Sequence, residues 1–243
     1  IMSNISASQV KELREKTGLG LMDCKKALQE SDGDMDLAIE ELRKTSGIKA
    51  SKKSGRSAAD GLIGLKGNGS DFFMIEVNCE TDFVARDSSY IEFTSETLDS
   101  YANSPDKSLE ELLEDGIEDK REKIVQKLGE NIVVRRVART EASSVTGSYL
   151  HSNKKIGCIV SLDGGDAALA NDIAMHAAAT DPMAISPTDI PEDIVEKEKE
   201  IFQAQSEDSG KPPEIIEKMI AGKVSKFLSE VSLTEQDFVK DPN

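Results

Sequence analysis

Hydrophobic residues recur at helical spacing near the start of the chain. The pattern predicts three short helices at residues 8–17, 21–30 and 35–47. Ser8 is the expected N-cap of the first helix and Asp34 that of the third, because each precedes an apolar repeat and carries an acceptor oxygen. The connections between these helices are short, so we expect a compact three-helix unit.

From residue 61 onward the hydrophobic period becomes that of strands. Residues 61–65 and 72–77 predict a β-hairpin, with Asn68-Gly69 supplying its turn. Two helices and a further strand are predicted after the hairpin, at 87–101, 109–128 and 131–139. The second of these helices is expected to bend or break near Gly116.

The same order of elements then recurs. Residues 147–151 and 156–162 predict a second hairpin, and residues 167–179 predict the helix that follows it. The two hairpin-then-helix units lie about 85 residues apart. We therefore predict an α+β core made of two related halves that arose by internal duplication.

The last part of the chain is again helical. Helices are predicted at 192–206 and 214–231, separated by a breaker at 209–213. The second helix carries one apolar stripe, made of Ile216, Ile220, Val224, Phe227 and Val231. This stripe predicts an antiparallel helical hairpin that projects from the body as an arm. Internal packing and a protein–protein surface both fit the stripe.

Composition narrows the class of protein. The 243 residues include 30 Lys and Arg against 46 Asp and Glu, a formal net charge of −16, so a general attraction to nucleic-acid phosphates is excluded. Apolar runs are too short to cross a membrane, and the first residues lack the features of a signal peptide. The three cysteines, Cys24, Cys79 and Cys158, are widely spaced, which favours a reducing compartment and a cytoplasmic location.

One segment reverses the overall charge. Residues 43–56 contain six basic residues and no acidic one, among serines and glycines typical of linkers. A solvated tether that offsets the acidic body is one interpretation, and a basic strip that faces a partner is the other.

Residue patterns typical of enzymes and metal sites are missing from the sequence. The two histidines, His151 and His176, lie in different halves, and His176 is expected to be a packed helix residue. The acidic triplet Asp32, Asp34 and Asp36 lacks the glycine and the glutamate of a calcium-binding loop. We therefore predict no catalytic residue, no metal site and no cofactor.

Two segments are unusual for pure scaffolding. Around Leu21 and Met22, large apolar side chains occupy a helix–helix turn, which indicates either a docking patch or a buried turn. Asp82 and Phe83 lie where a strand end meets a helix start. A structural interpretation also exists there, in which Thr81 or Asp82 caps the helix and Phe83 packs as a hydrophobic staple.

The sequence resembles the bacterial translation elongation factor Ts family. Matching motifs occur in family order from about residue 6 to 240, at residues 10–14, 17–18, 22–28, 59–61, 76–84, 129–132, 147–149, 174–176 and 209–212. Members of this family are nucleotide exchange factors and not enzymes. The resemblance therefore implies that the chain binds elongation factor Tu, a GTPase, and accelerates release of its GDP.

The resemblance also implies site residues. Its exchange motif matches Thr81, Asp82, Phe83 and Val84, with Asp82 and Phe83 expected to act as a wedge near the partner's Mg²⁺ and phosphate site. Docking on the partner is expected from Arg14, Leu21 and Met22, and from Leu128, Gly129 and His151 in the core.

The implied organisation has three parts. Residues 6–55 would form a docking domain resembling ubiquitin-associated domains, with the basic linker. Residues 56–142 would form core half one with the exchange motif, and residues 143–243 core half two, including the arm at about 190–232. We do not expect the chain to bind nucleic acid directly or to bind a membrane. A homodimer or a two-plus-two complex with the partner is compatible with the family. The alternative function is that of a ubiquitin-associated-type protein-binding adaptor.

Overall fold

The N-terminal part of the protein is a bundle of three helices. We describe a computed structural model that covers residues 5–67, 71–140, 145–207 and 211–241. The bundle consists of α1 (Ala7–Thr17), α2 (Leu21–Glu30) and α3 (Met35–Lys53). Its helices enclose a small core of their own, made of Val10, Leu13, Leu19, Cys24, Ala27, Leu28, Ala38 and Leu42.

The caps of the bundle helices agree in part with the prediction. Asp34 caps α3, its side chain accepting hydrogen bonds from two backbone amides of the first turn. The prediction that Ser8 caps α1 is wrong, because Ser6 does so. Ser6 and Gln9 form a capping box in which each side chain accepts from the other's backbone amide, at 3.2 and 3.0 Å.

Helix α3 runs further than its sequence predicts, to Lys53 and not to the region of Gly47. The basic segment is therefore largely helical, and the interpretation of a solvated tether is wrong. Ser46 and Ala50 are buried, and the Ser46 hydroxyl bonds to Gln126. Glycine and serine have a low helix propensity, which is why the sequence pattern predicts an earlier end. The contacts with the rest of the protein outweigh this propensity.

The first part of the core is a three-stranded antiparallel sheet in the order β1-β2-β3. Its strands are β1 (Asp60–Gly67), β2 (Phe72–Cys79) and β3 (Val133–Arg139). β1 and β2 form the predicted hairpin, whose predicted turn at residues 68–69 lies outside the described part. The register shifts between Glu76 and Val77 where β2 meets β3.

Helices cover this sheet. They are α4 (Asp82–Ala85), α5 (Ser88–Asn103), α6 (Leu109–Leu112) and α7 (Glu118–Leu128). The segment from α6 to α7 bends at Gly116, which has a φ of 91°, so the predicted break is confirmed. Sheet and helices enclose the main core, whose largest fully buried members include Tyr90, Phe93, Ile75, Leu112 and Ile132.

The second part of the core is a two-stranded antiparallel hairpin with one helix packed on it. The elements are β4 (Val145–Leu150), β5 (Gly157–Leu162) and α8 (Ala167–Thr180). Buried His176 on α8 accepts at Nδ1 from the Val239 amide and pairs at Nε2 with Gln236, each at 3.2 Å. The prediction of a packed helix histidine is confirmed.

The predicted arm is present as α9 (Glu192–Glu207) and α10 (Pro213–Val231), which pack against each other. Residues 209–210 of the predicted breaker lie outside the described part. On the apolar stripe Ile220 is buried and the other members are half-buried, so packing inside the arm covers part of the stripe. Mixed helices and small antiparallel sheets together make this an α+β fold.

Across the described ranges, no helix combines the length and the apolar character needed to cross a bilayer.

Candidate functional site

The 81–84 motif lies on a single helical turn at the end of β2. Thr81 is the N-cap of α4, and its hydroxyl accepts from the Val84 amide at 3.4 Å. Val84 and Ala85 are buried beneath the turn, whereas 80% of the Phe83 side chain is exposed. The staple interpretation of Phe83 is therefore wrong, and an apolar side chain of this size projects into solvent from a packed base.

The carboxylate of Glu130 holds the base of this turn. One oxygen accepts from the backbone amides of Glu80 and Thr81, both at 3.0 Å. The other oxygen accepts from the Thr81 hydroxyl at 2.6 Å. We call these three hydrogen bonds the Glu130 clamp. It ties the β2–α4 connection to the turn that begins at Gly129, directly after α7.

Asp82 does not present a free carboxylate. It pairs with Arg86 one turn later on the helix, at 2.6 Å between Oδ2 and Nη2. Both side chains are substantially exposed, and pairs of this kind contribute at most about 1 kcal/mol to stability. Replacing this ion pair by a contact with another molecule therefore costs little free energy.

Cys79 precedes the motif and is a structural residue. Its thiol lies within hydrogen-bond distance of the Thr81 carbonyl, at 3.2 Å, and its side chain is fully buried. Burial raises the pKa of the thiol to about 11, so it stays protonated at neutral pH. A buried thiol in this state is a poor nucleophile and supports packing under the motif.

The second exposed apolar patch lies at the start of α2. Leu21 is 53% exposed and Met22 is 72% exposed, and Arg14 is exposed on the neighbouring helix α1. Leu19, one position before Gly20, is buried in the bundle core. The turn thus divides its apolar residues, with Leu19 anchoring the bundle and Leu21 and Met22 facing solvent.

Polar contacts connect this patch to the core. Asp23 accepts from Lys49 of α3 at 3.1 Å and from Gln126 of α7 at 3.0 Å. Partial burial opposes ionisation of Asp23, but these two donors outweigh it and lower the pKa of the carboxyl. Arg43 adds an ion pair with Asp119. Two basic residues of the 43–56 segment, Arg43 and Lys49, therefore bind acidic groups of this chain.

Helix α7 joins the two regions, because it ends beside the motif. Leu128, half-buried, is its last residue, and the exposed Gly129 caps it with a φ of 81°. The Gly129 carbonyl accepts from Lys53 at the end of α3. The structure thus brings the predicted docking residues Leu128 and Gly129 to the Glu130 clamp.

His151 lies on the β4–β5 turn and is exposed, with Nδ1 at 3.0 Å from the Tyr149 hydroxyl. This turn is attached to β1: the Ile63 amide donates to the Lys154 carbonyl at 2.7 Å, and Lys155 pairs with Asp60 at 2.8 Å. Hydrogen bonds from Lys155 and from the Gly61 amide hold the pKa of Asp60 below its ordinary value. Asp60 is paired with Cys79 in the sheet, so the turn reaches the strand end that carries the motif.

Sequence reasoning missed the residues that hold these parts in place. Glu130 lies 49 positions from Thr81 and Lys155 lies 95 positions from Asp60, and neither carries a local pattern that names its partner. Within the part of the chain that the structure describes, no group of three or more His, Cys, Asp or Glu side chains is placed to hold a metal ion.

Phe83, Leu21 and Met22 expose large apolar side chains on packed elements, an arrangement typical of protein-binding surfaces. The sequence model of the family described as "Elongation factor TS" matches residues 80–243. The chain is 50% identical over 244 residues to "Elongation factor Ts" of Hahella chejuensis, covering 100% of this chain and 85% of that protein. It is 48% identical over 248 residues to that of Arthrospira platensis, covering 99% and 100%.

This chain belongs to the elongation factor Ts family. Membership implies a translation factor that promotes nucleotide exchange on elongation factor Tu, and not an enzyme in the usual sense.

Proposed function

We propose that the chain promotes GDP release from elongation factor Tu by inserting Phe83, with Asp82 beside it, near the partner's Mg²⁺ and phosphate site. The observation that carries this proposal is the 80% exposure of Phe83 on a turn whose base is packed and clamped. GTPases hold the phosphates of GDP with backbone amides and Mg²⁺. A phenyl group replaces neither ligand, so its insertion weakens the grip on the nucleotide without creating a new one.

The phenyl group cannot account for the whole effect. Burying one aromatic side chain contributes about 1.5–3 kcal/mol, or roughly tenfold to a hundredfold in rate. The rest has to come from docking through Leu21 and Met22, with Arg14, and from the core surface near Leu128, Gly129 and His151. These docking roles are part of the proposal.

The packing supports the proposed organisation into three parts. Residues 6–55 form a docking unit of the ubiquitin-associated type, supported by the separate core of the bundle. Residues 56–142 and 143–243 form the duplicated halves, supported by a hairpin with a packed helix in each: β1–β2 with α5, and β4–β5 with α8. We place the protein in the cytoplasm. Its proposed partner is elongation factor Tu, and a homodimer or a two-plus-two complex with that partner is compatible with the proposal.

The direct test mixes the chain with elongation factor Tu loaded with a fluorescent GDP and follows release by stopped flow. Acceleration that grows with the concentration of the chain and saturates is the expected result. A chain that binds through its bundle yet leaves the release rate unchanged would instead act as an adaptor.

Met22→Ala is expected to weaken complex formation about tenfold while the fold stays intact, because a buried methionine contributes about 1.5 kcal/mol or more at an interface. Titration calorimetry against elongation factor Tu measures the affinity. Leu37→Ala is the matched control, since Leu37 is 52% exposed on α3 of the same bundle. Equal affinities for wild type and the Met22 variant would remove this patch from the interface.

Deleting residues 192–231 and joining the ends with a short linker is expected to leave exchange within about threefold of the intact chain, because the proposed wedge lies on α4 and not on the arm. The chain on either side of the arm is held together by residues outside the deletion: the Leu233 amide donates to the Ala184 carbonyl at 2.9 Å, and the Thr234 amide to the Ile185 carbonyl at 3.0 Å. Stopped-flow release measures the outcome. A folded deletion variant without activity would show that the arm takes part in exchange.

A further inference from the structure

Glu130 makes an unusual set of contacts for a part-buried surface carboxylate. It accepts three hydrogen bonds, all from two adjacent residues of the β2–α4 connection, at 2.6 to 3.0 Å. Two of the donors are backbone amides that leave the sheet ladder at the end of β2. Charge-assisted hydrogen bonds of this length are among the strong ones, so this one side chain supplies a large part of what fixes the connection in place.

The turn that carries Glu130 is itself anchored. Asn131 donates from Nδ2 to the carbonyls of Ser54 and Arg56, at 3.3 and 2.8 Å, just after α3 ends. The Asn131 amide donates to Glu80 Oε1 at 2.7 Å, so the two connections also bind each other in the reverse direction. Glu130 therefore links the 81–84 motif to the anchored turn after α7 and to the end of α3.

Apart from the burial of Val84 and Ala85 beneath the turn, few contacts determine where Phe83 points. Its helix α4 has only four residues, too short to be stable without outside support. The phenyl ring is exposed, so ring packing supplies no restraint. The direction of the side chain then depends on the cap at Thr81, and the cap depends on the Thr81 hydroxyl that Glu130 holds.

We propose that Glu130 is the positioning residue for Phe83: its carboxylate fixes the Thr81 cap and so holds the phenyl group in the orientation that enters the partner. This inference rests on the proposed function. Glu130 is not proposed to touch the nucleotide or the metal ion, and it acts through Phe83.

Glu130→Gln tests this with almost no change in shape. The amide keeps one acceptor oxygen and places an NH₂ group where the second oxygen accepted, so one or two of the three donors lose their partner. We expect maximal GDP release to fall about tenfold, with little change in affinity for nucleotide-free elongation factor Tu. Glu111→Gln is the control, because Glu111 also accepts from a backbone amide, that of Ser108 at 2.8 Å, at the remote capping box of α6.

The decisive measurement is a double-mutant cycle with Phe83→Ala. If Glu130 acts through Phe83, then adding Glu130→Gln to the Phe83 variant lowers release by less than about twofold. If the loss of release rate in the double variant equals the product of the two single losses, Glu130 does not act through Phe83 and the inference is overturned. The proposed role of Phe83 itself would be unaffected. Thr81→Val, which removes the hydroxyl from the other side of the clamp, should show the same dependence on Phe83.

A second measurement needs no partner. Hydrogen–deuterium exchange of amides 80–86 is expected to speed up at least about tenfold in Glu130→Gln and to stay unchanged in Glu111→Gln. Unaltered protection in the Glu130 variant would contradict the clamp. If the intact chain fails to accelerate GDP release, the proposed function fails, and the amide exchange still decides whether Glu130 positions the turn.

Discussion

Replacing Phe83 with alanine is expected to slow GDP release from elongation factor Tu by roughly tenfold to a hundredfold. The estimate comes from the loss of one buried aromatic side chain, about 1.5–3 kcal/mol, in the state in which the nucleotide leaves. Binding to the empty GTPase should weaken less, because the other docking residues still make their contacts. Stopped-flow release of labelled GDP, measured to saturation, separates the two effects.

Two further measurements sharpen this result. Asp82→Ala should slow release less, since Asp82 is already paired with Arg86 in the free chain. Excess Mg²⁺ should oppose the wild-type chain more than the Phe83 variant, because ion and phenyl group are proposed to act on the same site. Ile91→Ala is the matched control, as Ile91 is a 41% exposed apolar residue on α5. A folded Phe83→Ala chain that releases GDP at the wild-type rate would falsify the wedge.

Gly61→Ala is expected to lower the free energy of unfolding by about 3 kcal/mol or more. Gly61 has a φ of 146°, and a Cβ there would lie 2.2 Å from the Val77 carbonyl oxygen and 2.8 Å from the Asn78 Cα. Backbone atoms cannot move aside as a flexible side chain can. Strand β1 passes this close to β2 three and four residues before Thr81, so the change also disturbs the support of the motif.

Gly129→Ala provides the comparison for Gly61→Ala. Gly129 also has a positive φ, 81°, but a Cβ there would meet no atom within 4 Å. Its cost should be that of the backbone conformation alone, about 1 kcal/mol. Urea titrations followed by circular dichroism measure both variants. Equal losses of stability would show that the close approach at Gly61 relaxes without penalty.

Much of the fold was predictable from local signals. The hydrophobic period located the helices and both hairpins, and Gly116 marked the bend before α7. The extent of α3 was not predictable, because the burial of Ala50 and the bond from Lys53 to Gly129 arise only when distant segments meet. Serines and glycines between lysines indicate a linker until the surface that packs against them is known.

The candidate site divides in the same way. The sequence indicates either a docking patch or a buried turn at Leu21 and Met22, and at Phe83 either a hydrophobic staple or the wedge that the family resemblance implies. Exposure in the folded chain distinguishes these alternatives. Glu130 and Lys155 could not be assigned from sequence, because a carboxylate or an ammonium group gives no local sign of a partner many residues away.

The continuity of α3 has a consequence for selectivity. This helix of 19 residues, about 28 Å long, connects the bundle with Leu21 and Met22 to the turn that supports Phe83. Its contacts with α7 fix the distance between the Leu21–Met22 patch and Phe83. A GTPase with a different spacing between its docking surface and its nucleotide site can bind only one of these two contacts at a time. It therefore loses the added affinity that comes from binding both together. Recognition of the right partner then depends on a matched distance as well as on complementary side chains.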